Sequence, residues 1–137
     1  MKYNEPTLRY FRLAATAGPL SGAHGRGAAG SREQGTWVQF ELQLAPGAPG
    51  GPRIAAARFA AFGCPHTIAA AGWCAEHAAG REAGAGIPEP VTALQARFAV
   101  PVEKLGRLLV VEDAWSAAAA AAVAGFAAAR RDPGNAT

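Results

Sequence analysis

A single run of residues carries most of the chemistry that this chain can do. Ala57-Arg58-Phe59-Ala60-Ala61-Phe62 reads as an extended segment that enters a Gly63-Cys64 corner and passes through Pro65 into Ile68-Ala69-Ala70. Such a corner leaves a thiol at a helix N-terminus. Unpaired backbone N–H groups and the helix dipole favour the thiolate there. Cys64 is therefore the first candidate for a metal, a cluster edge or a sulfur donor. The alternative is a small buried hydrophobe at a tight corner. His66, two residues on, is a candidate ligand or proton carrier, and a partly exposed position is expected for it.

The other candidates read as structural. Cys74 lies ten residues past Cys64, about 15 Å along a helix, too far for a disulfide, and is expected in the core. His77 is expected at the surface. His24 lies in a Gly-rich stretch and reaches Cys64 only if that stretch folds over it. Glu112 and Asp113 are neighbours, so on a helix they point about 100° apart and do not form a dyad. Gly25 to Gly30 matches G-x-G-x-x-G, but no strand precedes it and no helix opens on it, so it is not a dinucleotide fingerprint.

These residues need a scaffold. With 137 residues, the chain is expected to be one domain over 1–130 with a flexible tail over 131–137. Half the residues are apolar. Many of those are alanine, so the expected core leans on Leu8, Phe11, Val38, Phe40, Leu42, Ile54, Phe59, Phe62, Leu105, Leu108 and Phe126. The net charge is +3, with no basic run interleaved with aromatics, so no nucleic-acid partner is expected. Two cysteines exclude a disulfide scaffold. The N-terminus has no signal-peptide core, and Ala117 to Ala129 is too short to span a bilayer, so no membrane is expected either. A reducing cytoplasmic setting is the expectation.

Asn4 caps an expected helix that ends near Gly18, with Leu8, Phe11 and Ala15 on one face. Gly22 to Gly30 reads as a loop. Thr36 to Leu44 alternates as a strand, with Val38, Phe40, Leu42 and Leu44 on one face and Trp37 on the other. Arg53 to Phe62 returns as a second extended run, with a break near Ala55–Ala57. A helix is expected from Pro65 to about Ala79, a short one through Phe98, and a long one from about Glu103 to Arg130. The stripe of the long helix is Leu108, Val111, Trp115, Ala119, Val123 and Phe126. The fold class is α+β, a small antiparallel three-stranded sheet packed against helices.

The series Ala57-Arg58-Phe59, Gly63-Cys64, Ile68-Ala69, Glu76 and Gly80 resembles the IscU/NifU-type iron-sulfur cluster assembly scaffolds. Lys104-Leu105, Glu112-Asp113-Ala114 and Gly35 add to the likeness. The resemblance covers roughly residues 9 to 126. It implies that Cys64 is a cofactor-binding and metal ligand, the one kept of the family's set; His66 is a candidate metal ligand from its place two residues after Cys64. The family's remaining ligands fall on Gln34, Thr36, Gly106 and Arg107, which are degenerate positions. Val100 to Lys104 stands where such scaffolds dock a chaperone, and only Pro101 and Lys104 match.

The implied function is a non-enzymatic, accessory part in iron-sulfur cluster assembly. The implied cofactor is an iron-sulfur cluster or iron on an incomplete ligand set. The implied partners are a cysteine desulfurase or a chaperone, and a homodimer is left open. The alternatives are an interaction module without metal and a sulfur relay through Cys64.

Overall fold

The structure is a computed structural model that describes residues 3–12, 16–47 and 51–131. Helix α1 (Glu5–Arg12) is followed by strands β1 (Gly25–Ser31), β2 (Thr36–Ala45) and β3 (Arg53–Phe62). Helices α2 (Pro65–Glu76), α3 (Val91–Arg97) and α4 (Leu105–Arg131) complete the domain. The strands form one antiparallel meander in the order β1-β2-β3. The α+β class and the three-stranded sheet are as expected.

The membership of the sheet is not. Gly22 to Gly30 was expected to be a loop, yet Gly25 to Ser31 pairs along β2 from Leu42 to Thr36. The reason lies on the helix behind it. A Cβ on Gly27 would stand 2.2 Å from the backbone nitrogen of Ala118, and one on Gly25 would stand 2.3 Å from that of Ala122. The glycines let strand and helix backbones touch. The segment is a strand because of what covers it, not because of its own propensity. The expected break in β3 is absent. Ala55 is a bulge residue, since Gln43 faces Ala56 and Leu44 faces Ile54.

β2 alternates as its sequence does, with Thr36, Val38, Phe40, Leu42 and Leu44 buried. Phe40 meets Trp115 edge-on at 4.9 Å between ring centroids. On α4 the buried stripe is Leu108, Val111, Ala114, Trp115, Ala118 and Ala122. The expected stripe drifts from this beyond Trp115, where only alanine fits under β1, and Val123 is 38 % exposed. Two expected core residues are at the surface, Phe11 and Phe62. α4 is long and apolar enough, by length and composition, to cross a membrane. Its buried stripe is part of the core beneath β1 and β2.

Asn4 caps α1, its Oδ1 accepting the Thr7 N–H at 3.0 Å. The helix then ends at Arg12, well short of Gly18. Residues 16 to 18 run beside β3, with Gly18 N–H donating to Phe59 O and Phe59 N–H to Thr16 O. α2 stops at Glu76, one turn earlier than expected, with His77 as its C-cap. The expected tail beyond Arg131, and Ala15 on the expected α1 face, lie outside the described residues.

Candidate functional site

β3 delivers the chain to Gly63, whose φ of 154° is open to glycine and strained for other residues. Cys64 follows as the N-cap of α2 in extended conformation, and Pro65 opens the first turn. The N-cap makes no side-chain capping hydrogen bond, and no acidic residue lies in the first turn. The thiol is thus the polar group that α2 presents at its positive end.

Cys64 is half-buried. Its sulfur lies 3.6 Å from Thr67 Oγ1. Arg107, in the first turn of α4, brings a positive charge to bear on it. Burial alone pushes the thiol up. The Thr67 N–H and hydroxyl, then Arg107, outweigh burial and hold it below the ordinary thiol range. The Arg107 charge thus acts on the Cys64 thiol.

His66 is not the partly exposed residue expected from its position. It is 2 % exposed, with its ring edge-on to Tyr3 at 4.8 Å. The cause is α2 itself, which buries nine of its twelve residues and leaves no solvent face in its first turns. His66 Nδ1 is buried and has no hydrogen-bond partner among the described residues. Burial first, then the charges of Lys104 and Arg107, hold its pKa below the usual histidine range. The ring stays neutral near neutral pH.

The degenerate positions distribute around this corner. Gln34 is exposed in the β1–β2 turn, its N–H donating to Ser31 Oγ at 3.1 Å. That turn abuts the corner through Gly35, whose carbonyl oxygen lies 3.4 Å from where a Cβ on Gly63 would stand. Thr36 is 7 % exposed at the head of β2. Gly106 is exposed on α4.

These residues do not fit an iron-sulfur cluster. A cluster or structural zinc takes four ligands. Among the described residues no three His, Cys, Asp or Glu side chains converge. The Arg107 charge that acts on the sulfur opposes a cation.

The other candidates separate from the site. His24 precedes β1 at the end of the sheet remote from Cys64. Its Nδ1 accepts the Leu44 N–H at 3.0 Å, and its ring meets Phe126 edge-on. It does not fold over Cys64, because residues 25–31 are fixed in the sheet. His77 is exposed and stacks on Trp73 at 4.3 Å. Cys74 is fully buried, and burial pushes its thiol far up, so it is inert. Asp113 is exposed and Glu112 half-buried.

One feature near the site was absent from the sequence reading. Phe62 is 41 % exposed beside the corner, with the Arg32 guanidinium 5.2 Å above its ring and Trp37 across from it on β2. Alternation could have found it. Phe59 and Ala57 are buried, so residue 62 falls on the outer face.

Comparison with known proteins agrees with this architecture. No curated protein matches the sequence. A solved structure with the same fold is that of a protein from the thermophile Fervidobacterium islandicum AW-1, assigned as an iron-sulfur cluster assembly scaffold for the SUF system. It is 14 % identical, with a TM-score of 0.57 over 82 % of this chain and 93 % of that one. The family model described as the NifU-like N terminal domain matches residues 2–127. With nearly the whole chain matched, and strand, Gly-Cys corner and helix in place, the protein belongs to the NifU-like N-terminal domain family.

Proposed function

We propose that this protein serves iron-sulfur cluster assembly in an accessory part, as a sulfur relay through Cys64. The observation that carries the reading is the Cys64 thiol at the N-terminus of α2, its sulfur 3.6 Å from Thr67 Oγ1, with the Arg107 charge acting on it. It favours a nucleophilic thiolate where the family's resemblance would ask for another ligand. Family membership supports the cluster assembly setting. Cys64 would take the outer sulfur of a donor's persulfide. The thiolate attacks that sulfur, the donor's S–S bond breaks, and the donor thiolate leaves while the proton stays on the more basic sulfur. Atoms and charge balance without an oxidant or reductant. The relay is stoichiometric, so the protein is not itself an enzyme. The fitting partner is a cysteine desulfurase in the reducing cytoplasm.

The test is anaerobic and runs wild type beside Cys64→Ser. Intact mass after exposure to a persulfide donor should show one added sulfur atom on wild type and none on the variant. Reconstitution with iron and sulfide should leave both without cluster. Cluster bound by wild type and lost in the variant would overturn the relay in favour of a scaffold that borrows ligands across a dimer.

A second reading, a docking module without chemistry, draws on the exposed Phe62 and its Arg32 and Trp37 neighbours. Aromatic and arginine side chains of this kind anchor interfaces. It requires Cys64→Ser to retain function in a cluster assembly assay.

A further inference from the structure

The sheet has two edges, and only one of them is covered. Along β3, Gly18 N–H donates to Phe59 O and Phe59 N–H to Thr16 O, while Gly80 N–H donates to Ile54 O and Ile54 N–H to Arg81 O. Along β1, no backbone hydrogen bond among the described residues joins Gly25–Ser31 to anything but β2. Open edges are ordinarily guarded by lysine, proline or a bulge. β1 has none of these. It pairs with β2 without a break from Gly25 to Ser31, and its one charged residue is Arg26.

The helix beneath that edge is open on the same side. α4 lies under β1 at Gly25 and Gly27, and under β2 where Trp115 meets Phe40, so its axis runs between the two strands. One flank, with Ser116, Ala119, Ala120 and Val123, faces the loop at Ala83 to Gly86. The other flank, towards the open edge, carries Ala117, Ala121, Ala124 and Ala128 at helical spacing. Ala117, Ala124 and Ala128 are exposed. The most apolar stretch of α4 is 39 % buried, so the core does not use up the apolar surface of this helix.

We propose that a second copy of this chain pairs with the β1 edge, antiparallel about a two-fold axis at Ala28. The two three-stranded sheets become one, with the two α4 helices side by side beneath it. The strand fits itself. Arg26 falls opposite the second copy's Gly30, and the two Arg26 positions stand about 14 Å apart along the strands, beyond a Debye length. The helices fit as well. With strands about 4.8 Å apart and each α4 axis between β1 and β2, the two axes lie about 10 Å apart, within the range of packed helices. Ala118 beneath Gly27 and Ala122 beneath Gly25 make α4 antiparallel to β1, which sets residue 116 beside Ala28. The two-fold then brings Arg130 level with the second copy's Glu103, both exposed and each about 20 Å from the axis. Opposite charges thus stand at the same height at both ends of the helix pair.

An extended peptide from another protein would satisfy the edge and leave the alanine flank bare. A second copy brings a strand and a small-residue helix at matching heights, and closes both in one isologous contact. The axis sends the two β1–β2 turns, and the Cys64 corners that Gly35 abuts, to opposite ends. The dimer does not pool the two thiols, and it stands or falls apart from the relay.

Sedimentation equilibrium of the full reduced chain, from about 1 to 500 µM, tests the contact. Wild type should pass from one chain mass to two. Ala117→Glu places a carboxylate from each copy in the helix contact and should weaken association about tenfold or more. Ala120→Glu, exposed on the opposite flank, should leave association unchanged. In a Cys64→Ser background, with Cys74 fully buried, Ala28→Cys should cross-link two chains on mild oxidation, because the residues face each other across the axis. Ala55→Cys, exposed on β3, should not. A wild type that stays a single chain throughout overturns the proposal and leaves the edge to a strand from another protein. A dimer that Ala117→Glu leaves intact, that Ala120→Glu weakens as much, or that Ala28→Cys does not cross-link lies elsewhere on the surface and overturns it too. Should Ala117→Glu fail to fold, the two cysteine variants decide.

Discussion

The sulfur of Cys64, the N-cap of α2, lies 3.6 Å from Thr67 Oγ1, and the charge of Arg107 on the first turn of α4 favours its thiolate. The starts of two helices thus act on each other through a cation and a thiolate. The pH profile of Cys64 alkylation reports on that interaction. Wild type should react with iodoacetamide through a transition below that of an ordinary thiol. Arg107→Met should move the transition to higher pH, because removing the cation favours the neutral thiol. Cys64→Ser should leave the native protein unreactive, since Cys74 is fully buried. A profile unmoved by Arg107→Met would mean that the helix end and Thr67 hold the thiolate alone.

The seam between β1 and α4 admits no side chain on the strand. Gly27→Ala places a Cβ 2.2 Å from Ala118 N, and Gly25→Ala meets Ala122 N at 2.3 Å. Neither backbone can give way as a flexible side chain would. Each substitution should cost about 2–3 kcal/mol or more, at the upper end of overpacking penalties. Ala28→Ser, on the exposed face between them, should stay within about 0.5 kcal/mol. Urea unfolding of the three variants checks the contrast.

Cys74 gives the protein an alkaline liability. Its folded-state thiol is held far above its unfolded value of about 8.5 by burial. Below that pH both states keep the proton and the contribution is intact. Above it the unfolded chain loses its proton first, so stability falls as pH rises. Cys74→Ala should start about 1–2 kcal/mol less stable from the cavity, yet show a shallower decline above pH of about 9. Thermal unfolding from neutral to alkaline pH reads both effects, and parallel curves would show that Cys74 does not carry the slope.

Trp115 holds two opposed contributions. Its ring packs on Phe40, while its indole N–H is buried without a partner among the described residues. Trp115→Phe keeps a ring and removes the desolvated donor, whose burial costs about 1–3 kcal/mol. It should remain within about 1.5 kcal/mol of wild type. Trp115→Ala should lose about 3–5 kcal/mol. Equal losses from the two would indicate that the N–H is satisfied in solution.

β2 was legible because its alternation is a property of its own residues, and Thr36 to Leu44 pack as that pattern dictates. The Gly63-Cys64-Pro65 corner was legible for the same reason, being written in φ requirements and helix-start chemistry. β1 was not, since Gly-Arg-Gly-Ala-Ala-Gly-Ser has no strand propensity and becomes a strand through contact with a helix ninety residues away. The register of α4 failed likewise. Hydropathy ranks Val123 above Ala122, but proximity to β1 rewards the smaller residue. His66 looked exposed because polarity is a poor guide inside a helix that is buried on nearly all sides. Arg107 was singled out through its position against the family pattern, but its effect on the thiol needed the fold.

The glycine seam also bears on the chemistry at the other end of α4. The backbones of β1 and the helix come closest at Ala117 to Ala122, whereas Arg107 stands ten residues nearer the helix start. At 1.5 Å per residue the arm from there to the guanidinium is about 15 Å, so a tilt of about 5° displaces the cation by about 1 Å. That is enough to change its hold on the thiolate. The reactivity of the thiol should therefore respond to a fulcrum on the far strand. A methyl group added at Gly27 should detune Cys64 without touching it.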